Sequence, residues 1–268
     1  MLIDTHAHLW FDDFKDDLEE VLVRAKSAGV EKMIVPGTDI ESSRKAVALA
    51  KKYPGVIYAS VGVHPEEVVN RKSSDLSLAT LSTALRSELE GAVAIGEIGT
   101  DGTIKPLDHY TIEKQKELFR IQCELALQYE LPIIVHTRDS LGEALKVLDG
   151  LKTMPRGQFH CFSHDEEGVK QVLSRGFYVS FCGNITWSKR VAKLVPLIPD
   201  DRLLLETDSP FMLPMIAKVP NSGPESSEPK NEPANVRILA EKIAELRGVT
   251  IDHLEKTTNE NAIRLFRL

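Results

Sequence analysis

A chain of 268 residues with 42% hydrophobic content is long enough to bury a large core, as one big α/β domain or two small ones. Its formal charge of −7, from 33 basic and 40 acidic residues, argues against a protein that coats nucleic acid by neutralising phosphates, although a nuclease whose positive charge comes from metal ions remains open. No apolar run approaches the roughly 18 residues needed to span a bilayer. Nor does a basic-then-apolar leader open the chain, and Cys123, Cys161 and Cys182 lack Cys-x-x-Cys spacing, so a reducing, cytoplasmic setting is expected, with the thiols as small buried hydrophobes.

Short β-branched runs alternate with longer helical stretches. Leu2 to Asp4 is the first run, followed by a helix over Lys15 to Ala28 that stops at Gly29. Lys32 to Val35 precedes a helix over Glu41 to Tyr53, and Val56 to Val63 precedes one over Leu76 to Leu89. Ala92 to Ile95 is the fourth run and ends at Gly96-Glu97; a long helix over Thr111 to Tyr129 follows, with Thr111 as its expected N-cap. Pro132 to Val135 precedes a helix over Leu141 to Leu151, and Gln158-Phe159 precedes one over Glu166 to Ser174. Phe177 to Phe181 precedes a helix over Ser188 to Leu197, and Leu203 to Thr207 is the eighth run. Eight strands alternating with helices in about 250 residues is the arithmetic of a (β/α)₈ TIM-like barrel, here as a single domain with extra C-terminal helices. A doubly wound open sheet is the competing fold, but no Gly-x-Gly-x-x-Gly turn follows the first strand. The Pro-rich stretch 209–233 reads as a loop over the strand ends. Helices over Ala234 to Leu246 and Asp252 to Phe266 close the chain, with Thr257-x-x-Glu260 at capping-box spacing.

Of eight histidines, His6, His8, His64, His136 and His160 fall at the C-terminal ends of expected strands, and His164 lies just beyond; only His109 and His253 are elsewhere. Glu97 and Asp208 end the fourth and eighth strands. In a barrel those ends share one face. Alternate strand residues share a side, so His6 and His8 point the same way. Imidazole and carboxylate without thiolate suit Zn, Mn or Mg-like ions, and six ligands exceed one tetrahedral site. With Glu97 bridging, they serve two divalent ions roughly 3.5–4 Å apart. The natural division is His6, His8 and Asp208 on one ion and His136 and His160 on the other. Asp208 is also the candidate general base toward an attacking water.

Seven stretches carry a resemblance that covers essentially the whole chain. They are Ile3-Asp4-Thr5-His6-Ala7-His8-Leu9, Gly62-Val63-His64-Pro65, Ala94-Ile95-Gly96-Glu97-Ile98-Gly99, Leu131-Pro132-Ile133-Ile134-Val135-His136-Thr137-Arg138-Asp139, His160-Cys161-Phe162-Ser163, Leu205-Glu206-Thr207-Asp208-Ser209-Pro210 and Asn231-Glu232-Pro233. Together they resemble the TatD-type deoxyribonucleases of the metal-dependent hydrolase superfamily. The resemblance implies a TIM-like barrel, a divalent-metal site on His6, His8, Glu97, His136, His160 and Asp208, and hydrolysis of DNA phosphodiesters, often from the 3′ end. It implies a DNA substrate and neither a membrane nor an obligate protein partner. Three positions depart from the family pattern: Thr100-Asp101-Gly102 stands where Leu-Asp-Tyr is usual, His164 where Gly is, and the basic cluster before Asn-Glu-Pro shrinks to Lys230 with Glu225 and Glu228 nearby.

Other readings stay divided. His64 either contacts a phosphate oxygen or supports the ligands. Arg138 either clamps a phosphate or pairs with Asp139 or Glu143. Glu206 shares the parity of Asp208, so a supporting contact to the site is expected. Trp10 and Phe11 are expected to pack under the loop rather than stack on a base, and Trp187 is expected in the core. The alternative function keeps the metal site and changes the bond, as an amidohydrolase or esterase on a small substrate. The acidic charge favours it; the lack of a carbamylatable Lys where Glu97 stands opposes it.

Overall fold

The computed structural model of the protein describes residues 1–70, 78–105, 108–215 and 230–268. Eight parallel strands lie side by side in chain order. They are β1 (Leu2–Asp4), β2 (Val30–Pro36), β3 (Ile57–Val61), β4 (Ala92–Asp101), β5 (Ile133–Arg138), β6 (Gly157–Phe159), β7 (Tyr178–Phe181) and β8 (Leu203–Leu205). Between and after them run α1 (Leu18–Ser27), α2 (Ile40–Lys52), α3 (Glu67–Asn70), α4 (Leu78–Glu88), α5 (His109–Gln128), α6 (Leu141–Asp149), α7 (Glu166–Ser174), α8 (Lys189–Ala192), α9 (Val236–Arg247) and α10 (Ile251–Phe266). The first and last strands meet just past their regular ends. Thr5 N–H donates to the Leu205 carbonyl at 2.9 Å, Asp208 N–H to the His6 carbonyl at 2.9 Å and His8 N–H to the Ser209 carbonyl at 2.8 Å, and Ala7 bridges Ser209 in parallel. This is the expected (β/α)₈ barrel. Its closing seam runs through the segments that carry His6, His8 and Asp208.

The alternation of strand side chains explains both layers of the core. One set of positions, including Met33, Val35, Ile57, Ile95, Ile133, Val179 and Leu203, packs outward against Val21, Ala46, Phe119, Leu148, Val172 and Leu239 of the helices. The other set, Ile34, Ala94, Ile134, Tyr178 and Leu204, turns inward and forms a second cluster with Ile3 and with Ala262, Leu265 and Phe266 of α10. The C-terminal helix thus plugs the barrel at the N-terminal ends of the strands, where Asn261 Nδ2 also donates to the Leu203 carbonyl at 2.9 Å. Two residues beyond Ile134, Tyr178 and Leu204 the interior turns polar, at His136, Ser180 and Glu206. An apolar floor therefore carries a polar, buried upper chamber that opens at the strand C-terminal face.

Several expected details shift. α5 begins at His109 because the Asp108 side chain, not that of Thr111, caps it by accepting from Thr111 N–H at 2.7 Å. Thr257 lies inside α10, whose N-cap is Thr250; its hydroxyl bonds back to the His253 carbonyl at 2.8 Å, the usual outlet for a threonine within a helix. The helix expected over Ser188 to Leu197 breaks into α8 and a single turn at Val195–Leu197, since Pro196 has no N–H to donate to the carbonyl four residues back. Trp187, expected in the core, is 49% exposed. β4 does not stop at Ile95 but continues to Asp101, so Glu97 sits inside the strand, where its register against β5 slips between Ile95 and Ile98. Of the loop expected over 209–233, residues 216–229 lie outside the described residues.

Candidate metal centre

Glu97 stands in the middle of the chamber, 4% exposed. Its two carboxylate oxygens face different histidines. Oε2 is 3.4 Å from both His6 Nε2 and His8 Nε2. Oε1 is 2.9 Å from both His136 Nδ1 and His160 Nε2, and 3.6 Å from His64 Nε2. Asp208 Oδ1 joins the first group, 3.7 Å from His6 Nε2 and 3.5 Å from His8 Nε2. The six residues expected to gather at one barrel face do so, from five separate stretches of the sequence.

Hydrogen bonding alone leaves this arrangement unsatisfied. Asp101 Oδ2 lies 3.0 Å from His136 Nε2. A carboxylate only accepts, so His136 Nε2 carries the hydrogen and Nδ1 presents a lone pair. That lone pair faces Glu97 Oε1 at 2.9 Å; two acceptors so close require a cation or an extra proton between them. The Nε2 atoms of His6 and His8 face each other at 3.1 Å with the same carboxylate beside both. Among the described residues lining the chamber there is no Lys or Arg. Buried acids without cationic side chains, ringed by imidazoles whose ring nitrogens converge, fit divalent cations. Among the described residues, three groups of donor atoms close enough to share an ion are made wholly of chamber histidines and acids: His6, His8 and Glu97; His6, His160 and Asp208; and His64, Glu97 and His136.

The electrostatics follow from this crowding. Burial raises the Glu97 carboxyl, but His160 and His6 outweigh it and hold Glu97 well below the usual carboxylate range. Asp208 is likewise lowered against its burial, by His8 and His6. His160 is raised well above an ordinary imidazole, Glu97 and Glu206 overcoming its burial. His6 and His64 are lowered, chiefly by burial, His64 to about 3. Asp101 falls to about 2 despite burial, because His136 and Thr103 bond to it.

A surrounding set of residues holds these groups in place. Asp4, fully buried, accepts from the N–H groups of His6 and Thr207 through one oxygen, at 3.1 and 3.0 Å, and from the Thr207 hydroxyl through the other at 2.6 Å. It ties the His6 segment to the Asp208 segment across the seam. Burial lifts its carboxyl to about 8 against the Thr207 contacts. Glu206 accepts from Cys161 N–H and from the Ser180 hydroxyl, and lies 3.7 Å from His160 Nδ1. The strand-parity expectation for Glu206 therefore matches its position. Asp208, Cys161 and Asp139 have φ of 57°, 44° and 51°, a left-handed conformation unfavourable for side-chain-bearing residues and concentrated here at strand ends that aim side chains into the chamber.

Three features lie beyond what sequence patterning shows. Asp101, part of a departure from the family pattern, fixes His136. Cys161 and Cys182, expected as small buried hydrophobes, bring their sulfurs to 2.7 Å from each other beside Asp208. Phe211 lines the chamber mouth with Phe11. Arg138 is exposed and, unlike His64, is not among the residues lining the chamber; no described carboxylate pairs with its side chain.

Comparison with known proteins gives a consistent result. The sequence profile of the family described as "TatD related DNase" matches residues 3–267. A Bacillus subtilis (strain 168) protein described as "Uncharacterized metal-dependent hydrolase YabD" is 38% identical over 272 residues, spanning 100% of each chain. The "3'-5' ssDNA/RNA exonuclease TatD" of Cronobacter sakazakii is 35% identical over 269 residues, 99% of this chain and 97% of that one. The solved structure of YJJV, a TatD homologue from Escherichia coli K12, superposes with a TM-score of 0.84 at 31% identity over 100% of this chain and 98% of that one.

Proposed function

Since this chain belongs to the TatD-related DNase family, we propose that it is a divalent-metal-dependent nuclease removing nucleotides from the 3′ end of single-stranded DNA. The observation that carries the reading is the double-faced Glu97, one oxygen toward His6 and His8, the other toward His136 and His160. The substrate follows relatives named as 3′–5′ ssDNA/RNA exonucleases at 31–35% identity over at least 99% of this chain.

In this reading His6, His8, Asp208 and Glu97 would hold one divalent ion, and His136, His160 and Glu97 would hold a second. Such a pair, Zn, Mn or Mg, would supply Lewis acidity at the scissile phosphate and a more acidic attacking water. The protein residues do the rest. Asp208 is proposed to take the proton of the attacking water, a step worth about 10²–10⁴-fold in rate. Glu97 fixes the spacing of the two halves. His64, kept neutral by burial, donates to a phosphate oxygen at the open side of the chamber. Arg138, outside the chamber, meets a phosphate further along the strand through its planar fork. Residues 1–268 are proposed to act as one hydrolase domain. Among the described residues no helix is long and apolar enough to cross a membrane; the free thiols accord with a proposed cytoplasmic location.

The test is metal-stripped protein refilled with Mg, Mn or Zn and given 3′- and 5′-labelled single- and double-stranded DNA, with Asp208→Asn as control. The reading expects loss of the 3′ label first and a near-silent variant. Cleavage of a small ester or amide with no nucleic-acid hydrolysis would replace it by the amidohydrolase or esterase alternative.

A further inference from the structure

The chamber is lined above its metal-binding candidates by two unlike sets of residues, the polar Glu66, Glu67 and Thr38 and the aromatic Phe11 and Phe211. Phe211 is 48% exposed and adjoins Phe11 in the chamber lining. It is nonetheless held. Its N–H donates to the Asp208 carbonyl at 2.9 Å, and its own carbonyl accepts from Asn231 Nδ2, which also donates to the Thr207 carbonyl at 2.9 Å. The ring is thus fixed three residues beyond a proposed ligand. It meets Phe11 edge to face, with centroids 5.4 Å apart at 87°, and His8 at 6.0 Å. Phe11 is backed in turn by Trp10, stacked at 4.3 Å and 24°, and Trp10 is pinned by donating from Nε1 to the Pro36 carbonyl at 2.7 Å.

The chamber measures about 240 Å³. That is far too small to admit a duplex, whose major groove alone is about 12 Å wide. With no Lys or Arg among its described lining residues, it offers a polyanion no side-chain cation on its walls, and the carboxylate of Glu66 adds negative charge at the mouth. Whatever enters must place its anionic group on the floor and an apolar, planar group against the phenylalanines. A single nucleotide at a strand end has that shape: a phosphodiester with a base attached, free to unstack from its neighbour.

Resting on the nuclease reading above, we infer that Phe11 and Phe211 form a nucleobase-stacking wall for the terminal nucleotide being removed. The wall recognises the face of the base rather than its edge, so it accepts all four bases. It selects an unpaired end because a paired terminal base cannot turn onto it. Stacking of one base on aromatic side chains is worth about 5- to 100-fold in affinity.

The test uses the metal-loaded full chain, with Phe211→Ala, Phe11→Ala and the conservative Phe211→Tyr. Two 5′-labelled single-stranded oligonucleotides are compared, one ordinary and one whose 3′-terminal nucleotides lack bases. Metal content and thermal unfolding establish that each variant is folded and loaded. The inference expects Phe211→Ala to raise KM about 5- to 100-fold on the ordinary oligonucleotide with kcat little changed. It expects wild type to suffer a similar loss on the base-free end, with no further loss from Phe211→Ala, and Phe211→Tyr to restore KM. Equal losses on both oligonucleotides would make the ring a structural support, and no loss on either would remove it from substrate contact; each overturns the inference while leaving the nuclease reading intact. A wild-type enzyme inactive on both oligonucleotides overturns the nuclease reading and this inference with it. Should Phe211→Ala fail to fold, Phe11→Ala against the same two substrates decides the matter.

Discussion

Replacing Asp101 tests the logic of the site away from the residues that would touch an ion. Its two oxygens have separate duties: Oδ2 faces His136 Nε2 at 3.0 Å, while Oδ1 accepts from Thr103 N–H at 2.7 Å and the Thr103 hydroxyl at 2.6 Å. An asparagine offers only one acceptor atom, so Asp101→Asn sacrifices one duty, and Asp101→Ala loses both. Without the carboxylate, His136 is free to move its proton to Nδ1 and turn its lone pair away from Glu97. A hydrogen bond to a charged group contributes about 1.5–3 kcal/mol, and every 1.4 kcal/mol is a factor of about ten in affinity. Loss of such an outer carboxylate typically costs about 10- to 100-fold in metal affinity. Titration of metal-stripped protein with Mn²⁺ by calorimetry should therefore show one of the two binding events weakened by that factor in Asp101→Ala, less in Asp101→Asn, and the other nearly unchanged. Two ions bound with wild-type affinities in Asp101→Ala would refute the reasoning.

Chelation should both silence hydrolysis and lower thermal stability: ligand at about 100 times its Kd stabilises by about 2.7 kcal/mol, on the order of 5–10 °C in a chain of this size, read by calorimetry with and without EDTA. Glu232 receives Arg24 through Nε at 2.9 Å and Nη2 at 2.7 Å, so Glu232→Ala should lower stability by about 1–3 kcal/mol in urea without altering metal stoichiometry. Gly99 has φ of 150° and a Cβ there would lie 2.0 Å from the His136 carbonyl oxygen; Gly99→Ala should cost about 3 kcal/mol and impair metal binding by moving His136, measured as the urea midpoint and Mn²⁺ content. Arg175 holds Asp149 below the usual carboxylate range, so the pair stabilises the fold above the unfolded carboxyl pKa of about 3.9 and loses that contribution as pH falls through the lower folded value. Because Asp149 is half exposed, the contribution is at most about 1 kcal/mol; Asp149→Asn should lower the urea midpoint at pH 7, and by progressively less as pH falls through that window.

The barrel was legible because its strands are short apolar runs, six of which end in a histidine or an acid. His6, His8, His136, His160 and Asp208 could be placed together from position alone, since strand ends in this fold share a face. Glu206 followed from parity with Asp208. The residues that escaped notice depend on register, which single-sequence patterning does not contain. Asp101 reaches His136 only because β4 extends to Asp101 and pairs Gly99 with His136, past the slip at Glu97 that made the strand look finished. Cys161 and Cys182 meet because β6 and β7 pair Phe159 with Val179, an offset invisible before the sheet is assembled. Phe211 lies in a proline-rich stretch with no periodicity to read. The motif Asn231-Glu232-Pro233 was visible as a resemblance but mute as to cause; Asn231 holds the Thr207 and Phe211 carbonyls and Glu232 grips Arg24, so the motif braces the Asp208 segment from outside.

Anomalous diffraction from crystals soaked in Mn²⁺ bears most directly on the two-ion centre. The account predicts two peaks about 3.5–4 Å apart, bridged by Glu97, one shared with His6, His8 and Asp208 and the other with His136 and His160. Peaks remote from Glu97, or none in the chamber at saturating Mn²⁺, would contradict it.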